Sequence, residues 1–428
     1  MFKFLRRIGG MLGDSKPVYR WNPQLDANVG RVSDGLDYTT LASTMESADT
    51  GDIATWVKFT QEMEAKDAHL GAVARTRRLA LTGIDWEINP GQTSREEDKP
   101  LAKAAAEYVR NCLLDSGSFA KMLTHLAKAI GPNIAVTEIV WDGVKPAEFR
   151  NVPGNRLLID YSRSPEIRIT TVEDPVGQVA RRGKFIVHTP DYQIPNAFEN
   201  TVSRSQGKWW LMKNLAIADW ATFIEVFGMP TRWATYREGA STTQINVIKN
   251  ALASMGSLSY GLVPEGTNLE MREAGNRGND PYLAMIEWIE RKQSIGWLGQ
   301  TLTTEQGDSG ARAMAQVHDQ VRKDILLDDM RAEAATIRDQ LFAPMLDVGF
   351  PQVGATVPIF ERIPKVSRNR TEDANVLVVA QQAGLQIDKA WAHDHLSIPE
   401  PEEDADVLTP VEPAAAAAPG GGFGGGGF

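Results

Sequence analysis

The chain has 428 residues, 45 Lys and Arg against 55 Asp and Glu, a formal net charge of −10, and 42% hydrophobic residues. This is the balance of a folding chain, long enough for two or three ordinary domains or one elaborate one, and it excludes a disordered protein. The single cysteine, Cys112, excludes an intrachain disulfide or a multi-thiolate zinc site and suggests an intracellular chain. No run approaches the roughly 18 apolar residues of a membrane helix, and Arg6 and Arg7 interrupt MFKFLRRIGGMLG before a signal-peptide core develops, so neither a span nor export is expected.

Residues 1–50 combine a short basic amphipathic start with Gly, Asp, Ser and Thr, which reads as an arm with little core of its own. From Ile53 to Leu81 the spacing of Ile53, Val57, Met63, Leu70 and Val73 predicts an amphipathic helix, ended by Thr82-Gly83. IDWEINPG alternates as a strand, and helices are predicted at 101–115 and 119–130. Between 134 and 190 the runs IAVTEIVWD, RLLIDYS, EIRITTV and KFIVHTP predict four short strands of a small antiparallel sheet. Strands and helices show no regular βαβ alternation, and no Gly-rich phosphate loop follows a strand, so a nucleotide-binding domain is not expected.

The apolar stretch 209–227 predicts a helix stopped at Gly228 to Pro230, followed by strands at 231–236 and 260–273. A helix opening at Pro281 runs to about Leu298. The longest helix is predicted from Ala311 to Met345, about 50 Å at about 1.5 Å per residue, with Pro344 ending or kinking it. Two helical pieces follow at 371–396. The tail from 400 carries six acidic residues and no Lys or Arg, ends in GGGFGGGGF, and is expected to be disordered and solvated. The fold class expected is α+β, mainly helical with small antiparallel sheets.

Candidate chemistry weighs against an enzyme. Gly307-Asp308-Ser309-Gly310 has the letters of a serine-protease nucleophile, but it lies in a loop between two long helices, where Asp308 or Ser309 fits a helix N-cap better. His393 and His395, two apart on a helix, point to different faces and make no metal site without distant partners. His318 stands alone, and Asp219 and Glu225 lack the third polar partner that paired catalytic carboxylates need. Cys112 reads as a small buried hydrophobe. Tryptophans such as Trp209, Trp210 and Trp220 suit core or subunit-interface packing better than base stacking. No cofactor and no metal ligand set is expected, and a sequence-wide basic DNA-binding surface is absent.

Two segments are distinctive. NLAIADWATFIEVFGMP, from Asn214 to Pro230, and IGWLGQTLTTEQGDSGARAMAQVHDQVRKD, from Ile295 to Asp324, closely resemble the Mu-like branch of the tailed-phage portal proteins. The first carries Asp219 and Trp220 running into Phe227-Gly228 and Pro230; the second carries Leu298 to Thr304, then Ala315, Val317 and His318.

The resemblance implies a homo-oligomeric ring, commonly of twelve subunits, with a wing, a stem, a clip and a crown, seated at one capsid vertex of the virion after assembly in the host cytoplasm. Double-stranded DNA would be packaged and ejected through it. The implied partners are the terminase large subunit, major capsid and scaffold proteins, and head-tail connector proteins, with no membrane. The organisation expected is an arm at 1–50, a portal body at 51–345 containing wing, clip and stem, a crown-like helical region at 346–399 and a tail at 400–428. The portal-like channel loop would be Gly299 to Gly310, lined by Gln300, Thr301, Thr303, Thr304, Glu305, Gln306, Asp308 and Ser309. Trp209, Trp210, Trp220, Phe223 and Phe227 are the expected subunit-interface residues. A head-maturation hydrolase using Ser309 and a soluble DNA-binding adaptor are the competing readings.

Overall fold

The computed structural model describes residues 35–162, 165–190, 198, 201–227, 232–254, 260–265, 280–301, 311–352, 354–364, 370–396 and 398–399. The chain divides into two units, residues 1–364 and 365–428. In the first unit three helices, α1 (Tyr38–Asp49), α2 (Ile53–Lys66) and α3 (Ala68–Thr82), lead to strand β1 (Asp85–Asn89) and helices α4 (Lys99–Asp115) and α5 (Phe119–Leu126). Six strands follow: β2 (Ala135–Asp142), β3 (Lys145–Val152), β4 (Leu157–Asp160), β5 (Glu166–Ile169), β6 (Gln178–Val179) and β7 (Phe185–His188). Then come α6 (Val202–Phe227), β8 (Arg232–Tyr236), α7 (Thr242–Ser254), β9 (Tyr260–Pro264), α8 (Asp280–Leu298), α9 (Ala311–Ile337), α10 (Ala343–Gly349) and β10 (Ile359–Ile363). The second unit holds α11 (Arg370–Gln382) and α12 (Lys389–Leu396).

The first unit has two apolar cores. One gathers α1 to α3 and the lower ends of α6 and α8, where Trp56, Phe59, Trp210 and Trp297 are buried and the Phe59 and Trp210 rings meet edge to face at 5.8 Å. The other lies under α4, α5, β2 and the end of α9, around Phe119, Phe342 and Phe360. Cys112 is buried in this second core. Strand β10 returns to pair antiparallel with β1, Asp85 opposite Ile363, so residues far apart in the chain close one sheet. Arg362 on β10 forms a fully buried two-pronged pair with Glu333 of α9, both N···O distances 2.8 Å, and donates to the Ile84 carbonyl. With both charges withdrawn from water, the pair must stay intact to be tolerated.

Several elements differ from the sequence reading. The helix expected over 53–81 is two helices, because Asp67 takes extended backbone angles and its carboxylate accepts the His69 and Leu70 N–H groups as an N-cap of α3. The stretch read as an arm includes α1, whose Leu41, Thr44 and Ala48 are buried against the body. The single sheet expected over 134–190 is two three-stranded sheets, ordered β3-β2-β7 and β4-β5-β6. Strand β3 went unread because it begins Lys145-Pro146; Pro146 sits where the register with β2 shifts, at a sheet edge that tolerates its missing N–H.

The strands read at 231–236 and 260–273 are β8 and β9, which pair in parallel, Arg232 opposite Tyr260, with α7 as the crossover; this single unit is not a regular βαβ alternation. The long helix does not stop at Pro344. A π-turn over Arg338–Phe342 absorbs the proline's missing donor and the helix continues as α10. Inside that turn Gln340 exchanges two hydrogen bonds of 2.7 Å with the N–H and C=O of Val187 on β7.

Candidate functional site

Helices α6 and α8 form an antiparallel hairpin, fixed by ring contacts between Trp209 and Trp288 (5.2 Å) near its base and between Phe223 and Tyr282 (5.8 Å) near its far end. The seam follows helical spacing: Lys213, Ala216, Trp220 and Phe223 on α6 are buried or half-buried and oppose Tyr282, Ile286, Ile289 and Gln293 on α8. Gly296 lets the two backbones approach, since a Cβ there would collide with the Gln206 amide.

The base is bolted to the body by buried polar groups. Asp67 accepts from Lys213 Nζ and from Gln293 Nε2, both at 2.9 Å, and Lys213 also reaches Glu290 at 2.9 Å. Burial works to raise the Asp67 carboxyl, but the hydrogen bonds from Lys213, Gln293 and the Leu70 N–H outweigh it and hold the pKa below 3.8. His69 Nε2 lies 2.8 Å from Ser294 Oγ. Arg77 of α3 clamps Asp329 of α9 with two bonds of 2.9 Å and donates to the Trp297 carbonyl at the end of α8. Gly299 terminates α8 with φ at 69°, and a side chain there would press on Val321 and Ile325. The connection from α8 to α9 is therefore rooted on both sides.

Of the expected subunit-interface residues, Trp210 lies instead in the core of its own chain, 5% exposed and edge to face with Phe59. Trp209 is half-buried against Trp288, and Trp220 and Phe223 lie along the seam. The Phe227 side chain lies outside the described residues. At the loop, Gln300 is 4% exposed and so belongs to the root, while Thr301 is half-buried. Thr303, Thr304, Glu305, Gln306, Asp308, Ser309 and the side chain of His318 lie outside the described residues, as does the tail from 400. Asp219 and Glu225 are exposed on α6. In the second unit His393 Nδ1 contacts the Ile398 carbonyl at 3.2 Å and His395 stacks on Trp391. Among the described residues no group of three or more His, Cys, Asp or Glu side chains is placed to hold a metal ion, and no helix is long and apolar enough to cross a membrane. A cleft of about 1000 Å³ between α2, α3 and α5 is lined by Glu64, Arg75, Arg78, His125 and Lys128, with no Ser or Cys among its lining residues.

A model of the family described as "Portal protein of Mu bacteriophage" matches residues 57–398, spanning both helices of the hairpin and the connection to α9. The chain belongs to that family. It is 29% identical over 392 residues to the portal protein of Escherichia phage Mu, covering 89% of this chain and 75% of that one. It is 28% identical over 386 residues to the Mu-like prophage FluMu protein gp29 of Haemophilus influenzae, covering 87% and 73%. A chain of the virion of a native gene transfer agent particle superposes with a TM-score of 0.48 at 11% identity, over 93% of this chain and 99% of that one.

What the sequence reading of this portal-family chain missed are the polar bolts. Asp67 had a signal, an Asp directly before an apolar helical repeat. Lys213 and Arg77 had none, because their partners Asp67 and Asp329 are distant in the chain.

Proposed function

We propose that the chain forms a dodecameric ring at one vertex of a phage capsid, through which double-stranded DNA is packaged and later ejected. In this reading it has no active site of its own. It docks the terminase large subunit and then the head-tail connector proteins, and it meets major capsid and scaffold proteins during assembly in the host cytoplasm. The observation that carries the reading is the family match over residues 57–398. The apolar side chains left exposed along the α6/α8 hairpin, among them Ile217, Ile224 and Trp288, support it, since a closed ring would cover them. Negative-stain microscopy of the purified chain should show rings with a central hole. Monomers at every concentration, also with scaffold and capsid protein added, would overturn the proposal.

The loop between α8 and α9 is proposed to face the channel with Thr301, Thr303, Thr304, Glu305, Gln306, Asp308 and Ser309, and Gln300 holds its root. Hydroxyls and amides offer interchangeable hydrogen bonds to a moving phosphate backbone, and the two carboxylates discourage tight binding. Lysine at 303 and 304 should leave rings intact and slow packaging; packaging at the unmodified rate would remove the loop from the channel.

A further inference from the structure

We propose that the cleft between α2, α3 and α5 is a docking site for an acidic peptide, and that its occupant is the segment 400–412 of this chain's own tail. Small apolar side chains, among them Ala65, Ala68 and Ala72, leave a space of about 1000 Å³ there. That is the upper end of the range of small-molecule pockets, about 300–1,000 Å³, and it suits a segment of extended chain. Five titratable groups line the cleft among the described residues: Glu64, Arg75, Arg78, His125 and Lys128. Three of them are engaged. Arg78 and Glu64 hold each other in a two-pronged pair, and Arg78 also donates to the Ile130 carbonyl and lies over the Trp297 ring at 5.2 Å. His125 turns Nε2 to the Val136 carbonyl at 3.1 Å and is neutral at neutral pH, because burial lowers its pKa to about 4. Arg75 and Lys128 are exposed, and neither has a carboxylate partner among the described residues. With the Glu64 and Arg78 charges cancelling, the cleft is left with the two positive charges of Arg75 and Lys128.

The walls ask for carboxylates and apolar side chains together. Leu79, one helical turn beyond Arg75 on α3, is 59% exposed and sets an apolar contact beside the cation. Residues 400–412 read EPEEDADVLTPVE, with six carboxylates, no Lys or Arg, and Val407, Leu408 and Val411 directly after the acidic run. The other end of the chain has the wrong sign, since the first twenty residues hold Lys3, Arg6, Arg7, Lys16 and Arg20 against Asp14 alone. A duplex phosphate backbone would match the charge, but it brings no apolar side chain to Leu79 and the alanine floor. Complementary charge selects the tail over the arm, and the apolar wall selects a peptide over a nucleic acid. This contact does not depend on ring closure.

Zero-length crosslinking tests the contact in the full chain, because carbodiimide joins a lysine only to a carboxylate that touches it. The treated and digested protein should yield a linked peptide joining Lys128 to residues 400–412. Its yield should fall about tenfold or more in Arg75→Glu, where a rim charge is reversed, and likewise in about 0.5 M salt or with an excess of free synthetic 400–412 peptide. Lys128→Arg keeps the charge and should lose this link while other lysine links persist. Arg75 is exposed, so Arg75→Glu should melt as the unmodified chain does. A tail linked only to other lysines, or a Lys128 link that Arg75→Glu and the free peptide leave unchanged, would overturn the proposal. Protection of Lys128 by duplex DNA and not by the peptide would also overturn it, and would give the cleft to a phosphate ligand.

Discussion

The two cores and the far half of the α6/α8 hairpin dispose of charge and apolar surface in opposite ways. In the body, charges are inside but matched: Arg362 with Glu333, Lys184 with Glu138 at 3.1 Å, and Arg77 with Asp329. In the hairpin, charges sit outside and isoleucine, leucine and tryptophan sit outside with them. A buried pair is intolerant of losing one member, whereas an exposed apolar side chain contributes little until something covers it. The body thus satisfies its buried charges within the chain, whereas the hairpin leaves side chains such as Ile224 and Leu283 exposed on its flanks.

The contrast can be broken first at its strongest point. Arg362→Ala should destabilise the body by about 3–5 kcal/mol, read by chemical denaturation, because Glu333 would be left buried without its partner; a loss below about 1 kcal/mol would show that the core opens to water there. Next comes acid. Burial pushes His188 and His125 down to about 4 from an ordinary 6.5, so both are neutral in the folded chain at neutral pH. The unfolded chain takes up these protons first as pH falls. Their share of stability is thus whole above pH 6.5 and is lost between 6.5 and about 4. His188→Asn should flatten the pH dependence of stability in that window by about 1–3 kcal/mol; an unchanged slope would mean that His188 is solvated.

Asp67→Asn should cost about 1–2 kcal/mol, chiefly through a Lys213 left with Glu290 alone, and hydrogen exchange should quicken at the start of α3 and the base of α6. At the small end, Ile224→Ser should change the stability of the isolated chain by no more than about 0.5 kcal/mol, measured by thermal unfolding of dilute monomer. A large loss there would place Ile224 in a core and sharpen the boundary between the two regions downward.

Periodicity located most of the helices because each buries one stripe: α4, α8, α9 and the later part of α6 stand close to where the spacing put them. It failed where local polar chemistry overrides the stripe. Asp67 splits a continuous apolar repeat by capping, and Pro344, which would end a regular helix, is accommodated by five residues of π-turn. The helix α7 was readable but unread. Ser241 and Gln244 form a reciprocal capping box, with Ser241 N–H donating to Gln244 Oε1 at 3.1 Å, ahead of Ile245, Ile248 and Leu252. The parallel pairing of β8 with β9 is a tertiary choice that no spacing encodes. The hairpin's seam was visible as a run of apolar residues; that both of its flanks stay exposed becomes apparent only when α8 is laid beside α6.

The amide of Gln340 has a consequence for the sheet edge it meets. Strand β7 is the last in its sheet, and an outermost strand is a template on which any extended stranger can add. By presenting one donor and one acceptor to Val187, Gln340 imitates the next strand in a single side chain and occupies the place where a foreign one would start. The irregular turn beneath Pro344 thus works as a stopper on this edge of the sheet.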